Sequence, residues 1–231
     1  GLPGTSLIGD IAEAAGALRM LPADVTRWVM EAEYGMSARE RLLGSGREVN
    51  AAASAWLQKR LEYGCVVLEP WVDRIDEAGV QFEIPRHGEP RLVGITPLLT
   101  DRTGVYRGSR FGVDPLLEHE WADAVAVGQR AAARLQETGY FGPAGFDAMH
   151  YRAPDGAIRV RPLQDINARW TMGRLALGFE RLLAPGECGA WLHLPHAATR
   201  SDDPPWIDTA RRLTGTGVRL IPTSPDTVGG Q

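Results

Sequence analysis

Gly139-Tyr140-Phe141-Gly142-Pro143-Ala144-Gly145-Phe146-Asp147 is followed, beyond a Pro154-Asp155-Gly156 turn, by Arg161-Pro162-Leu163-Gln164-Asp165-Ile166-Asn167-Ala168-Arg169. These two stretches decide how the chain is read. Residues 145–152 and 157–163 have strand character, and Pro-Asp-Gly between them is a hairpin turn. The hairpin brings Asp147, Asp165, Asn167 and Arg169 onto neighbouring strands. Residues two apart on a strand share a face, so Asp165 and Asn167 address one site while Ile166 turns toward the core. Carboxylate oxygens suit a hard divalent cation such as Mg²⁺, which completes its shell with water and substrate phosphates. In the alternative reading, both aspartates are solvated strand ends and Asn167 caps the next helix.

Outward from this hairpin, residues 115–138 carry Ala124, Val127, Ala131 and Leu135 on one helical face. Strands are expected at 80–85, 91–99 and 104–111, forming an antiparallel meander. Before them, 65–72 is a buried strand run broken by the Glu69-Pro70 step. The N-terminal part reads as a helix over 6–20, a strand over 26–31, a loop over 35–41 and a helix over 49–63. After the hairpin come a helix over 170–183, a strand over 190–194, a short helix at 207–213 and a strand at 218–221. Residues 224–231, polar and Gly-rich, are expected to fray.

The 231 residues carry a net charge of −4, which disfavours broad nucleic-acid binding and points to small-molecule partners. With no long apolar run and no leader pattern, a cytoplasmic chain without a membrane segment is the default. Cys65 and Cys188 form neither a metal pair nor a disulfide framework. His193 and His196, in His-x-x-His, lack a third ligand for Zn²⁺. Lys59 is the only lysine among the 25 basic residues, so any phosphate contact falls to arginine. Guanidinium groups meet carboxylates and phosphates with a planar donor fork. Arg107 and Arg110 lie on a strand candidate, and Arg169 directly follows the acidic element.

The order of elements, Glu69-Pro70-Trp71-Val72, and Asp147 with Gln164-Asp165-Ile166-Asn167-Ala168-Arg169 together resemble the ATP-grasp superfamily over roughly residues 5–195. The resemblance implies an α+β fold, with a small N-terminal α/β lobe (1–68) and a larger lobe of antiparallel sheet flanked by helices (69–223). A flexible tail would cover 224–231. Residue 1 falls almost at the opening helix, so the domain that precedes this one in the family is expected to be absent. The resemblance further implies ATP and Mg²⁺ as cofactors, with Asp147, Asp165 and Asn167 holding the metal. Glu69, Trp71, Val72 and Asp73 would form the adenine and ribose hinge, or else simply end a strand with Trp71 in the core. Ser37 and Arg39 would belong to the loop covering the phosphates.

Arg169 would orient a carboxylate, acyl phosphate or γ-phosphate, and Arg107 would reach the acceptor. The implied reaction activates a carboxylate for attack by an amine or thiol, and a nucleotide-binding module without turnover is the rival. Two departures bear on activity: Asp165 replaces the usual glutamate, and Glu31 stands near the place of the expected lysine.

Overall fold

The computed structural model describes residues 1–33, 40–112, 116–193, 217–221 and 223. The chain divides into two units, Gly1–Trp191 and Leu192–Gln231. Within the second unit, 218–221 form no strand, contrary to expectation. Val218, Leu220 and Ile221 are 54%, 38% and 49% exposed, and apolar β-formers without a packed neighbouring strand do not make a sheet. The helix expected at 207–213, His196 and residues 224–231 lie outside the described residues.

The first unit opens with β1 (Ser6–Ile8), α1 (Ile11–Met20), β2 (Arg27–Ala32), β3 (Arg41–Ser45), α2 (Ala51–Leu61) and β4 (Val66–Pro70). The strands pair antiparallel in the order β1-β4-β2-β3. One helix over 6–20 is therefore corrected to a strand followed by a helix. The break comes at Gly9-Asp10: Asp10 accepts from the Glu13 N–H at 2.8 Å, and Glu13 returns to the Gly9 N–H at 2.7 Å. This reciprocal cap starts the helix at Ile11.

β3 occupies part of what reads as loop. Its Gly44 lies where a Cβ would fall 2.2 Å from the Trp28 ring, so only glycine lets the indole cross this strand. Trp28, Met30, Val66 and Leu68 face the helices and form one core with Leu18 and Leu57. By alternation, Arg27, Val29, Glu31, Arg41 and Glu69 share the opposite face.

Arg47 fixes the turn between α1 and β2. Its guanidinium donates to the carbonyls of Leu18 (3.4 Å), Pro22 (2.6 Å), Val25 (3.1 Å) and Leu21. A cation there also answers the negative end of α1. Arg47→Ala strands several half-buried carbonyls and is expected to cost about 2–4 kcal/mol, read as a lowered urea midpoint at unchanged slope.

The remainder of the unit comprises β5 (Asp73–Ile84), β6 (Arg91–Thr100), β7 (Tyr106–Phe111), α3 (Leu117–Glu120), α4 (Ala122–Glu137), β8 (Gly142–Arg152), β9 (Ile158–Asn167), α5 (Met172–Gly178) and β10 (Gly189–Leu192). These strands form a second sheet in the order β10-β7-β6-β5-β8-β9, with β5-β6-β7 the expected meander. The long helix is interrupted at Trp121, which is 3% exposed and stacks on His150 at 4.0 Å between centroids. Burying that indole turns the backbone to φ −105°, ψ 21° and starts α4 afresh.

Ala78, Val80, Phe82, Phe146 and Ala148 bury against Ala124 and Ala132 of α4, each large side chain contributing about 2 kcal/mol. The opposite face of this sheet carries Glu77, Gly79, Gln81, Gly145 and Asp147. α5 lies there too, held by its N-cap Thr171, which donates to Gln81 at 2.6 Å and accepts from the Arg174 N–H at 3.0 Å. Among the described residues, no helix is long and apolar enough to cross a membrane.

Candidate active site

Register places the acidic residues of β8 and β9 directly opposite each other: Asp147 pairs with Asp165, and Gly145 with Asn167. Like charges across a strand pair repel, so this arrangement is a local cost to the fold. It is relieved by Asn167, whose amide donates at 3.3 Å to both Asp147 Oδ2 and Asp165 Oδ2. Arg169 then donates to Asn167 Oδ1 at 2.7 Å. The hairpin thus brings together all three expected metal ligands and Arg169. Ile166, expected in the core, is 47% exposed. It shares the face of its register partner Phe146, but β9 is the outer strand of the sheet and its end is incompletely covered.

The Asp147 carboxyl is pushed up to about 7. Enclosure away from water is the largest cause, followed by the charges of Asp165 and Glu77, with Arg169 and the Asn167 hydrogen bond opposing. Asp147 retains an intermediate exposure, so its enclosure is incomplete. A group perturbed by burial and by like charges is typical of a site shaped for something other than stability.

Glu77, which motif reading did not single out, is 7% exposed and takes a 2.6 Å bond from Thr100. Alternation along a strand beginning as early as Asp73 would have placed it beside Asp147. Tyr106 also adjoins: burial raises its hydroxyl pKa first, and the Asp147 charge adds to this against a hydrogen bond with Ser109.

The small sheet meets this face through Glu69. Its carboxylate is 8% exposed and forms a two-pronged pair with Arg161 of β9, at 2.7 and 2.6 Å, with Thr5 Oγ1 at 3.3 Å. Both oxygens are therefore engaged by the large sheet rather than left for a base edge. Arg161 was not foreseen as a site residue, because nothing local to Arg161-Pro162 shows a partner 92 positions away. Glu31 also lies on this face. Burial raises its carboxyl pKa first, then the charge of Glu69; Arg41 opposes, Asp165 adds a further push and Arg161 opposes again. The residue as a whole is exposed, so the desolvation is partial.

Trp71, expected either at the hinge or in the core, is half-buried between strands, with Arg27 and Arg41 at 5.8 and 5.7 Å from the ring centroid. Arg41 also donates to the Thr103 carbonyl, tying the small sheet to the β6–β7 turn. Trp71, Val72 and Asp73 line a cavity of about 760 Å³ that also includes Glu77 but not Asp147, Asp165 or Asn167. Asp73 is 3.6 Å from Arg152. Arg107 is engaged by Asp101 at 2.8 and 3.2 Å, away from the acidic residues. Ser37 and Arg39 lie outside the described residues.

Among the described residues, no three His, Cys, Asp or Glu side chains form a ready-made metal cage. The donor set nevertheless fits Mg²⁺, which needs few protein carboxylates and keeps several waters. The electropositive amide of Asn167 bridges the two aspartates. Turning that amide would present its oxygen instead.

No protein-family model matches the sequence, and no curated protein matches it. Solved structures do. The biotin carboxylase domain of the 2-oxoglutarate carboxylase of Hydrogenobacter thermophilus, in complex with MgADP, ADP and bicarbonate, aligns with TM-score 0.53 at 15% identity, over 71% of this chain and 35% of that one. The N5-carboxyaminoimidazole synthetase of Staphylococcus aureus complexed with ADP aligns at 0.50 and 11%, over 72% and 40%. The ADP complex of another N5-carboxyaminoimidazole ribonucleotide synthetase aligns at 0.51 and 12%, over 96% and 60%. The chain thus spans 35–60% of the length of these three structures. At 11–15% identity the likeness is one of architecture, and that architecture, two antiparallel sheets with the acidic hairpin at one edge of the larger, is the ATP-grasp fold.

Proposed function

We propose that this chain binds Mg²⁺-ATP between its small lobe (1–68) and large lobe (69–223) and joins a small carboxylate to an amine or thiol. The γ-phosphoryl group would pass to a carboxylate oxygen, releasing ADP. The nucleophile would then attack the acyl carbon and expel phosphate. The observation that carries this reading is the pair of opposed aspartates bridged by one amide, an arrangement costly to a fold and suited to a cation. Asp147, Asp165 and Asn167 would hold Mg²⁺, which supplies charge neutralisation at the phosphate oxygens.

Arg169, beside Asn167, would stabilise the developing negative charge. Trp71, Val72 and Asp73 would border the base and ribose, with contact through backbone groups, because Glu69 is committed to Arg161. Arg107 would reach the acceptor only after release from Asp101. Ser37 and Arg39 remain assigned to the phosphate-covering loop. The small-molecule substrates and the cytoplasmic location belong to the same proposal.

A nucleotide-binding module without turnover is the second reading, and Glu31 favours it: its carboxyl, whose pKa is raised by burial first and then by the charges of Glu69 and Asp165, would weaken the hold on a triphosphate by repulsion unless protonated or bridged. Calorimetry of ATP with and without Mg²⁺, paired with ADP release across a panel of amino acids and small carboxylates, separates the two. Mg²⁺-dependent binding with substrate-stimulated ADP release is expected. Binding without stimulation would favour the module, and no Mg²⁺-dependent binding would refute both.

A further inference from the structure

Gln81 is 2% exposed, an amide enclosed on a face of the large sheet that an apolar side chain would close at less cost. Buried polar groups are kept where hydrogen bonds answer them. Register sets Gln81, Gly145 and Asn167 abreast on β5, β8 and β9. Thr171, just beyond Asn167 in the chain, folds back over this row. A Cβ on Gly145 would lie 2.5 Å from the Thr171 methyl and 2.9 Å from Gln81 Oε1, so only glycine leaves room for the crossing.

One side chain thus ties the start of α5 to the middle of the sheet, since Thr171 accepts from the Arg174 N–H and donates to Gln81 Oε1. The helix is held again by Arg174, which donates to Glu83 at 2.8 Å. Gly173 fits close beneath it, where a Cβ would lie 2.4 Å from Thr96 Oγ1 and 2.8 Å from Gln81 Nε2. Between the anchored ends, Ala168, Arg169 and Trp170 are exposed and belong to no helix or strand. Their place is set from either side, by the ladder at Asn167 and by Gln81 at Thr171. The Arg169 N–H donates to the Asn167 carbonyl at 2.8 Å and its guanidinium to Asn167 Oδ1 at 2.7 Å, so loop and amide are linked.

We propose that Gln81 is a positioning residue: through Thr171 it fixes the loop from Asn167 to Trp170, and so holds the Asn167 amide between Asp147 and Asp165 with Arg169 beside it. Gln81 acts at one remove, by a hydrogen bond to Thr171. The use of that geometry to hold Mg²⁺ rests on the ligase reading, whereas the clamp itself does not.

Amide hydrogen exchange tests the clamp, and affinity for Mn²⁺, standing in for Mg²⁺ and read by electron paramagnetic resonance, tests its purpose. Gln81→Met keeps the length of the side chain and removes the acceptor. It is expected to speed exchange at residues 168–171 about tenfold or more while 78–84 and 144–148 keep their protection. Mn²⁺ binding is expected to weaken about tenfold. Thr171→Ser retains the hydroxyl and is expected to match wild type in both measurements. Thr171→Val breaks the same bond from the loop end, with the same two effects expected, and carries the test should Gln81→Met not fold. Unchanged exchange at 168–171, faster exchange spread evenly through both sheets, or wild-type Mn²⁺ affinity in a variant whose loop has loosened would each overturn the inference. A wild-type chain that binds neither Mn²⁺ nor Mg²⁺-ATP, with the loop loosened in the variants, would strike the ligase reading and leave the clamp standing.

Discussion

Asp147→Asn is expected to lower any Mg²⁺-dependent nucleotide turnover by at least about 100-fold while making the metal-free chain more stable near pH 8 by about 3 kcal/mol. The two effects have one cause. Enclosure, Asp165 and Glu77 raise the Asp147 carboxyl from its ordinary value to about 7, so its ionised form is worse placed in the folded chain than in the unfolded one. The native state consequently binds the extra proton. Its contribution to stability is fully present below about pH 4 and is lost as pH rises to about 7.

Three pKa units correspond to about 4 kcal/mol at most, and the figure of 3 allows for the remaining solvent contact. In the asparagine variant the fall in stability between about pH 4 and 7 is expected to flatten, which urea titrations across that range would measure. A variant no more stable than wild type at pH 8, with an unaltered pH slope, would mean that the aspartate is not strained. Mg²⁺ must compete with the same proton, so metal binding is expected to weaken below about pH 7 and to release a proton there.

Arg161→Met is expected to destabilise the chain by about 3–5 kcal/mol, because it leaves the Glu69 carboxylate without its cation in a site where Glu69 is 8% exposed. Arg161 binds both Glu69 oxygens at 2.6–2.7 Å across the join of the two sheets. Glu31 adjoins the pair, so the neighbourhood would hold two carboxylates and lose one of the two cations, Arg41 and Arg161, that act on Glu31. Glu69→Leu combined with Arg161→Met removes both charges and is expected to recover most of the loss. A double-mutant cycle should give a coupling of about 2 kcal/mol or more. Coupling near zero would reduce the bridge to a solvated contact.

The acidic hairpin was legible because its information is local. Pro154-Asp155-Gly156 sets the turn and strand alternation sets the faces, while a register shift between Asp147 and Met149, which no local pattern announces, puts Asp165 directly opposite Asp147. The meander and α2 were legible for the same reason. The helix expected over 6–20 fell short because apolar spacing does not show the Asp10–Glu13 cap that begins it. Ile166 has the alternation of a core residue, yet its exposure follows from lying on the outer strand of the sheet. At the hinge, Glu69 reads locally as a free carboxylate, and its partner becomes visible only once β9 crosses to β4.

By itself, the sequence determined the acidic pair with its asparagine and the dependence on arginine for positive charge, and through its resemblance to a known family it indicated the α+β architecture. Turns, caps and two-residue alternation act over a few positions and are written in neighbouring residues. Tertiary structure alone decided which guanidinium answers which carboxylate: Arg161 to Glu69, and Arg107 to Asp101. Electrostatic partnership depends on distance and enclosure between segments as much as 92 positions apart, and no local pattern encodes that distance.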